Sequence, residues 1–455
     1  MRGTLAQLAA AIPGARLVGA DTAFDGVSTD SRTAPAGALF VALKGETFDA
    51  HSFLDQVAGR GVAAVVVHAL PQGWTLPALV VPDTLVALGR IANHWRGQFA
   101  IPVIGVTGSN GKTTVKEMIS SILAAAVGED ARLATQGNLN NEIGVPLTLF
   151  RMGAQHRAAV IEMGMNHPGE IGRLAAIAQA TVAMVNNAQR EHQEFMHTVE
   201  AVARENGSVL QALPKDGVAV FPGDDEYTTL WRALAPGKVL TFGLSEACDV
   251  RASYASTGFG NQLAITAGGQ TASVALQAAG EHNVRNALAA FASTLAAGIE
   301  VDAIVRGLEA FAPVGGRLQK KTAACGATVI DDTYNANPDS MRAAIDVLAA
   351  YPAPRILVVG DMGEVGTQGQ EFHEEVGAYA KARGIETVLA TGELARHMGA
   401  TGARHYEQFD DLLAALESTL GGNSKATVLV KGSRFMKMER VVQHLTGQPT
   451  SKDAH

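Results

Sequence analysis

The sequence has few of the residues that mark several large classes of protein. Its 455 residues include two cysteines, Cys248 and Cys325, whose spacing fits no metal site, so we expect neither disulfides nor a cysteine-bound metal. There is no Lys/Arg cluster and the net charge is −8, which makes nucleic acid a poor candidate partner. No apolar run approaches the roughly 18 residues of a membrane span, and the N-terminal stretch does not have the pattern of a signal peptide. These absences predict a cytoplasmic protein that does not cross a membrane.

What the sequence does contain is a phosphate-binding loop, within VIGVTGSNGKTT at 103–114. An apolar run that predicts a strand leads into the glycines, and a helical pattern follows them. Backbone N–H groups of such a loop surround phosphate oxygens, and the helix N-terminus adds the positive end of its dipole. Lys112 is expected to reach the β- and γ-phosphates, and Thr113 or Thr114 to bind Mg²⁺. Val106 stands where such loops usually have their first glycine, so a glycine-rich turn before an ordinary helix is the alternative.

The predicted elements indicate an α/β protein of three domains. Short strands and helices alternate over residues 1–98. Over 99–314 the alternation predicts a doubly wound, mostly parallel sheet, and a β-rich segment at 217–275 predicts an antiparallel extension. Pro313 and the glycines after it indicate a linker, and a Rossmann-like α/β unit is predicted for 315–455.

An acid and a histidine follow two strands of the predicted central sheet. Glu162 ends the run AAVIE, and His192 lies just past VAMVNNA. In a parallel sheet both positions face the crevice at the carboxyl ends of the strands, where they are suited to holding a divalent cation beside the phosphate loop. Taken singly, each residue is more often an ordinary surface or helix-capping residue.

Two asparagine-rich segments are open to more than one interpretation. The segment 135–146 contains Asn138 and Asn141, and it is either a turn-rich loop or a polar surface for a sugar or phosphate. Asn283 and Asn286 share one face of a predicted helix. Helix capping by Asn283 is the simpler interpretation, and recognition of an adenine edge by the two amides is the other.

The third unit carries polar clusters where two of its strands end. DDTYNANP at 331–338 and KGSR at 431–434 follow apolar runs, which is where α/β proteins bind ligands. The glycine-rich loop at 360–369 is either a mobile lid or a plain turn. Two clusters in one domain predict a second half of a site that faces the phosphate loop.

Together these motifs resemble those of the Mur ligase family, and the resemblance runs nearly end to end. Within the family, DDTYNANP and KGSR favour the members that add D-alanyl-D-alanine. The family is built of three α/β domains, and its phosphate loop lacks the early glycine, which accounts for Val106. The matching stretches are STDSR at 28–32, FVALKGE at 40–46, GSNGKTT at 108–114, GNLNNEIGVPLTL at 137–149, EMGMNHPGEI at 162–171, HNVRNALAA at 282–290, DDTYNANPDSM at 331–341, GDMGEVG at 360–366 and KGSRFMKME at 431–439.

The resemblance implies an ATP site between the second and third domains. Asn283 matches a residue beside adenine, Arg317 an arginine that reaches the nucleotide from the interdomain junction, and Asp332 a carboxylate that binds ribose. The residues expected around ATP are Gly108, Ser109, Asn110, Gly111, Lys112, Thr113, Thr114, Asn283, Asn286, Arg317 and Asp332, and those expected at Mg²⁺ are Thr113, Glu162 and His192.

The resemblance also implies the substrates, UDP-MurNAc-tripeptide and D-Ala-D-Ala, and a monomeric enzyme. The γ-phosphoryl group of ATP would activate the terminal carboxylate of the tripeptide as an acyl phosphate, which the amine of the dipeptide then attacks. The residues expected to bind substrate are Ser31 and Arg32 at the uridine nucleotide, Asn138 and Asn141 near the muramoyl peptide, and Asn335 and Lys431.

Two alternatives to this function stay open at the level of the sequence. One is a related ligase, of the MurE type or a folylpolyglutamate synthase, although the DNPR motif of the first is absent and DDTYNANP argues against both. The other is a nucleotide-gated switch that uses the phosphate loop for conformational change and has no second substrate.

One position departs from the family pattern. Many members carry a lysine in the helix after the metal-binding histidine and carbamylate it to help hold a second Mg²⁺. An ungapped match from His192 places Asn206 there, and no lysine occurs between Lys116 and Lys215. We predict that Asn206 replaces the carbamate through its amide oxygen or a bridging water, and that turnover does not depend on bicarbonate. The alternative is that the helix is shifted in register.

Overall fold

In the computed structural model, which describes residues 1–45 and 47–447, the chain forms three α/β units in sequence. Glu46 of the motif at 40–46 and residues 448–455 of the third predicted domain lie outside the described residues. The first unit has a five-stranded sheet in the order β2-β7-β6-β5-β4, with β1 and β3 paired beside it. Its elements are β1 (Arg2–Thr4), α1 (Leu5–Ala11), β2 (Arg16–Val18), β3 (Ala23–Asp25), β4 (Val27–Ser28), β5 (Leu39–Val41), α2 (Leu54–Gly59), β6 (Ala64–Val67), β7 (Ala78–Val80) and α3 (Thr84–Arg96).

The central unit is built on a nine-stranded sheet in the order β16-β15-β14-β13-β12-β11-β8-β10-β9. The strands from β14 through β9 are parallel, and β14, β15 and β16 form an antiparallel edge. Its elements are β8 (Val103–Thr107), α4 (Lys112–Val127), β9 (Arg132–Ala134), α5 (Gly144–Phe150), β10 (Ala158–Glu162), α6 (Glu170–Ala178), β11 (Val182–Val185), α7 (Gln193–Met196), α8 (Val199–Gln211), β12 (Val218–Pro222), α9 (Thr228–Leu234), β13 (Lys238–Gly243), β14 (Val250–Thr257), β15 (Gly260–Ala267), β16 (Gln270–Leu276), α10 (Glu281–Ala296) and α11 (Val301–Ala310).

The mostly parallel sheet with an antiparallel extension is confirmed, but the extension is shorter than predicted. Of the segment 217–275, β12 and β13 belong to the parallel part of the sheet. The seven-residue helix α9 connects them, and it is too short to give a clear helical period in the sequence. Strand β14 has no clear signal in the sequence, because its residues from Tyr254 onward are exposed and lack an alternating apolar pattern.

The third unit has a six-stranded sheet in the order β17-β18-β22-β19-β20-β21, parallel except for the β17–β18 pair. A capping box between Asn337 and Ser340 starts its first helix, with Pro338 in the first turn. Its elements are β17 (Gln319–Thr322), β18 (Thr328–Asp332), α12 (Pro338–Ala349), β19 (Arg355–Val359), α13 (Gly369–Ala382), β20 (Thr387–Thr391), β21 (Arg404–Tyr406), α14 (Phe409–Leu420), β22 (Thr427–Lys431) and α15 (Glu439–Thr446).

The first and central units share one apolar core. Helix α3 packs against α5 and α6, so that Ile91, Leu149 and Leu174 belong to the same buried cluster. Burial of such side chains stabilises the contact by roughly 25 cal/mol per Å² of apolar surface. The predicted boundary at 98/99 falls between α3 and β8. None of the described helices is long and apolar enough to cross a membrane.

Candidate functional site

The phosphate loop connects the end of β8 to the start of α4. Val106 lies within β8 and is buried in the core, so the loop proper begins at Gly108. Gly108 and Gly111 have φ values of +138° and +81°, which L side chains rarely adopt. A Cβ at Gly111 would also lie 2.4 Å from Asn286 Oδ1. The loop therefore needs glycine at both positions.

Two asparagines that were not among the predicted site residues hold the loop in place. Asn186 and Asn187 follow β11 directly. Asn187 Oδ1 accepts a hydrogen bond from Asn110 N at 2.9 Å, its carbonyl accepts one from Ser109 N, and Asn186 Nδ2 donates to Asn110 O at 2.8 Å. Their signal in the sequence is a polar pair directly after a buried strand, at the edge where α/β proteins bind ligands.

Lys112 turns its ammonium group back onto the loop and onto a buried carboxylate. Its Nζ donates to Gly108 O at 2.6 Å and Ser109 O at 2.9 Å, and it lies 3.0 Å from Glu191 Oε1. Burial opposes ionisation of Glu191, but the positive charges of Lys112 and His192 outweigh it and lower the pKa of the carboxyl. Glu191 is thus an ionised group of the site that was not among the predicted residues, although it precedes His192 directly.

Glu162 lies beside Thr113 at the C-terminal end of β10. Its Oε1 accepts hydrogen bonds from Thr113 Oγ1 at 3.1 Å and Asn140 Nδ2 at 2.8 Å. Its Oε2 is buried and has no hydrogen-bond partner among the described residues. A carboxylate oxygen and a hydroxyl next to a phosphate loop are the donors that Mg²⁺ prefers, and the unpaired oxygen of Glu162 is a donor that could bind a cation at this position. Of the two threonines considered, Thr113 is the one adjacent to this carboxylate.

His192 stands between two carboxylates at the start of α7. Its Nδ1 lies 2.6 Å from Glu364 Oε2, and its Nε2 lies 3.5 Å from Glu191 Oε1. Glu364 belongs to the loop at 360–369, so this loop contacts the central unit. Burial lowers the pKa of His192, but the two carboxylates more than compensate and raise it to about 9. Without a bound cation the imidazole is therefore protonated at neutral pH, and binding of a metal there must release a proton.

We expect His192 in the cation-free protein to titrate near pH 9 instead of its ordinary value of 6.5. Because the pKa is raised in the folded state, these ion pairs stabilise the fold fully below about pH 6.5, and the stabilisation is lost as the pH rises through 9. The measurement is an NMR titration of the ring, assigned with His192→Asn. Glu364→Gln removes one carboxylate and should move the midpoint down. A midpoint near 6.5 in the unaltered protein would contradict this assignment.

Asn283 and Asn286 lie on one face of α10 and belong to a chain of amides. Asn283 Nδ2 donates to Ala279 O, Asn286 Nδ2 donates to Asn283 Oδ1, and Asn286 Oδ1 accepts from Asn186 Nδ2 at 2.9 Å. The interpretation of Asn283 as a helix cap is wrong, because Gly280 is the N-cap residue and no side chain caps this helix. The amide chain instead connects α10 to the phosphate loop.

The polar clusters of the third unit face the phosphate loop. Lys431 Nζ lies 2.6 Å from Asp332 Oδ2 and donates to Asn335 O, and Asp332 Oδ1 accepts from Leu318 N. Lys431 and Asp332 are 3% and 9% exposed, so the pair is largely withdrawn from water. Arg317 reaches across the interdomain junction, where its Nη2 donates to Thr113 Oγ1 at 3.0 Å.

A second set of contacts joins the central and third units at the same junction. Arg190 forms ion pairs with Asp339 of α12 and Glu375 of α13, both at 2.6 Å. Asn337 Nδ2 donates to Asn110 Oδ1 of the phosphate loop at 2.9 Å. These residues are far apart in the sequence, and none of the three ion-pair partners was among the predicted site residues. The contacts hold the third unit over the loop.

A cavity of about 1030 Å³ lies at the junction of the three units. Four of the predicted residues do not line the cavity: Ser31, Arg32, Gly108 and Asn206. Arg32 is exposed and paired with Asp30. Gly108 contacts the site through its carbonyl oxygen, which accepts a hydrogen bond from Lys112. Asn141 Oδ1 accepts from Gly144 N at the start of α5, so this asparagine shapes a turn as well as facing the cavity. The predicted residues that do line the cavity are Ser109, Asn110, Gly111, Lys112, Thr113, Thr114, Asn138, Asn141, Glu162, His192, Asn283, Asn286, Arg317, Asp332, Asn335 and Lys431.

The position of Asn206 corrects the role predicted for it. Asn206 is 1% exposed on α8, and its Oδ1 accepts a hydrogen bond from Thr107 Oγ1 at 3.0 Å. The amide oxygen that was to replace a carbamate is thus occupied below the phosphate loop, where it holds the last residue of β8. The expectation that turnover does not depend on bicarbonate stays a prediction.

Comparisons with known proteins agree with the three-unit layout. Three family models match the chain: "Mur ligase family, catalytic domain" over residues 23–96, "Mur ligase middle domain" over 106–294 and "Mur ligase, glutamate ligase domain" over 316–434. The UDP-N-acetylmuramoyl-tripeptide–D-alanyl-D-alanine ligase of Escherichia coli (strain K12) is 40% identical, over 97% of this chain and 98% of its own. The enzyme of the same name from Bacillus subtilis (strain 168) is 34% identical, over 94% and 95%.

Solved structures give the same result at the level of the fold. A crystal structure of MurF from Acinetobacter baumannii superposes with a TM-score of 0.92 at 35% identity, covering 98% of this chain and 99% of that one. The MurF ligase of Thermotoga maritima, solved in complex with ADP, superposes with a TM-score of 0.85 at 26% identity, covering 93% and 97%.

Proposed function

Because this chain belongs to the Mur ligase family, we propose that it joins D-alanyl-D-alanine to the terminal carboxylate of UDP-MurNAc-tripeptide at the expense of ATP, a step of peptidoglycan precursor synthesis. One observation carries the proposal: the phosphate loop and the clusters DDTYNANP and KGSR line a single cavity. A nucleotide switch would need only the phosphate loop, whereas a ligase also needs residues on the opposite side of the cavity to bind the peptide and the incoming amine. No observation favours the alternatives of a MurE-type ligase, a folylpolyglutamate synthase or a switch.

The reaction proceeds through an acyl phosphate. A carboxylate oxygen of the tripeptide attacks the γ-phosphorus of ATP, the bond to the bridging oxygen breaks, and ADP leaves. The free amine of D-Ala-D-Ala then attacks the carbonyl carbon, loses a proton, and inorganic phosphate departs with one oxygen of the former carboxylate. Catalysis of this reaction therefore requires mainly that the protein align three reactants and stabilise the negative charge on the transferring phosphoryl group.

Different residues of this chain perform the charge stabilisation and the alignment. The N–H groups of the phosphate loop and the ammonium of Lys112 neutralise the β- and γ-phosphates. Arg317 brings a second positive charge from the third domain to Thr113, so it reaches the nucleotide only when the domains are together. The contacts of Arg190 and Asn337 hold that arrangement, and closure of the domains around the reactants would exclude water from an intermediate that water would hydrolyse.

Mg²⁺ belongs to the proposal as the cofactor. Glu162, Thr113 and His192 would provide ligands to bound Mg²⁺ ions, since they offer a carboxylate with an unpaired buried oxygen, a hydroxyl and an imidazole beside the phosphate loop. A bound Mg²⁺ supplies positive charge to the phosphate oxygens during transfer. The predicted uridine contacts Ser31 and Arg32, a monomeric state, cytoplasmic location and the lack of a nucleic-acid or membrane partner remain predictions.

The proposal is tested by phosphate release from ATP with the substrates added singly and together. We expect little release with either UDP-MurNAc-tripeptide or D-Ala-D-Ala alone, and rapid release with both, because the acyl phosphate forms and discharges only in the complete complex. Replacing the tripeptide substrate with the UDP-linked dipeptide is the matched control and should abolish release. ATP hydrolysis that is indifferent to both substrates would favour the switch.

A further inference from the structure

Glu191 is a buried carboxylate of the cavity that none of the steps above uses. It is 8% exposed, lines the cavity beside Lys112 and His192, and directs one oxygen, Oε1, to both. Its other oxygen, Oε2, is buried and makes no hydrogen bond to any residue that the structure describes. A buried charge with an unsatisfied oxygen is costly, and such groups are usually paired or bound to a metal.

The present partner of Glu191 is required elsewhere during the reaction. The ammonium of Lys112 is enclosed by three oxygens, Gly108 O, Ser109 O and Glu191 Oε1, within the space of the phosphate loop. In the proposed reaction Lys112 must turn toward the β- and γ-phosphates. Glu191 would then lose one of its two positive neighbours, keeping only His192 at 3.5 Å, while a polyanionic nucleotide enters the same cavity. A buried carboxylate with so little counter-charge beside phosphates destabilises the complex.

We propose that Glu191 exchanges Lys112 for a divalent cation when the nucleotide binds, and that it is a direct ligand of that cation together with His192 Nε2. This inference rests on the proposed function only in that it takes ATP as the nucleotide. Glu191 Oε1 and His192 Nε2 are 3.5 Å apart, so their donor atoms face the same point.

The surroundings of Glu191 agree with a cation that the nucleotide completes. Among the described residues there is no group of three or more His, Cys, Asp or Glu side chains arranged to hold a metal. Mg²⁺ typically takes one or two protein ligands, and substrate phosphates and waters supply the rest of its octahedron. Glu162 and Thr113 form a separate hydrogen-bonded pair, in which Glu162 has its own unpaired oxygen. The cavity thus offers two carboxylates for cations that bridge phosphates.

The competing explanation is that Glu191 only neutralises Lys112 in the empty site. The two explanations differ in a measurable way. If Glu191 is only a counter-ion, Glu191→Gln frees Lys112, tightens nucleotide binding and leaves the affinity for divalent cations unchanged. If Glu191 is a ligand, the same substitution weakens the binding of one cation in the presence of nucleotide.

In the experiment, the full-length protein is first saturated with the β,γ-methylene analogue of ATP and is then titrated with Mn²⁺. Electron paramagnetic resonance measures the concentration of free Mn²⁺. For Glu191→Gln we expect one Mn²⁺ to bind at least roughly tenfold more weakly than in the unaltered protein, as loss of a charged ligand implies. Glu191→Asp keeps the charge and should lose less. Glu194→Gln is the matched control, since Glu194 is an exposed glutamate three residues away, and it should bind Mn²⁺ as the unaltered protein does.

A second measurement does not depend on whether the variant folds. A crystal of the unaltered protein with Mn²⁺ and the analogue should show an anomalous peak within coordination distance of the Glu191 carboxylate. The proposal would be overturned if Glu191→Gln bound Mn²⁺ with an affinity within twofold of that of the unaltered protein. It would also be overturned if the crystal showed anomalous peaks at Glu162 and none at Glu191. Neither measurement contains the UDP-linked peptide or the dipeptide, so its outcome is independent of whether the proposed ligase reaction is correct.

Discussion

Replacing Lys112 with methionine is expected to lower kcat by roughly 10³-fold or more, because the substitution removes the positive charge that the phosphate loop presents to the transferring phosphoryl group. Methionine keeps much of the length of the side chain and none of its charge. Binding of ATP should weaken much less than kcat, since the N–H groups of the loop and the dipole of α4 remain. Turnover with both peptide substrates and nucleotide affinity are the two quantities to measure.

The controls for Lys112→Met separate catalysis from folding. The substitution leaves the buried Glu191 without its partner, so thermal unfolding must be followed alongside activity. Lys215→Met removes an exposed lysine of the same domain and should change neither quantity. A Lys112→Met enzyme that folds and retains more than a tenth of the turnover would show that the phosphate loop is not the catalytic centre.

Replacing Lys431 with methionine should produce the largest loss of stability among substitutions in the site. The change leaves Asp332 buried and charged, and breaking a buried ion pair from one side typically costs about 3–5 kcal/mol. Asp332 would still accept a hydrogen bond from Leu318 N, which reduces the loss of stability. Urea unfolding monitored in the third domain is the measurement, and the transition should move to lower urea concentration.

A double substitution identifies the cause of that loss. Asp332→Asn combined with Lys431→Met removes both charges and should recover a large part of the stability, because the cost arises from the charge left unpaired. Lys425→Met, at an exposed lysine just before β22, is the control and should be nearly neutral. An unfolding curve of Lys431→Met that coincides with this control would contradict the pair's role.

The parts of the site that lie next to strand ends could be predicted from the sequence. The loop at 108–114, Glu162 at the end of β10 and the cluster at 331–338 follow buried strands, and parallel strands in one sheet present their carboxyl ends at one edge. The parallel sheet follows from the alternation of apolar strands with helices. The same reasoning placed β12 and β13 in an antiparallel extension, because the short helix between them left no periodic signal.

The residues that depend on packing between distant segments could not be predicted in the same way. Arg190 meets Asp339 and Glu375 only because the third domain lies over the phosphate loop, and no local pattern marks those partners. Asn206 was assigned from its place in a linear match, but the hydrogen bond to Thr107 is fixed by the packing of α8 below β8. Glu191 precedes a selected histidine, yet its importance becomes visible only when the contact with Lys112 is known.

The central claim is that the terminal carboxylate of the UDP-linked tripeptide is activated by the γ-phosphoryl group of ATP in this cavity. Its most direct test is a single turnover with that carboxylate labelled with oxygen-18, followed by mass spectrometry of the products. The account predicts one labelled oxygen in the inorganic phosphate and none in the nucleotide, since the phosphoryl group leaves with an oxygen of the former carboxylate. Label in AMP would indicate an adenylate instead, and unlabelled phosphate formed along with the amide product would contradict the acyl phosphate altogether.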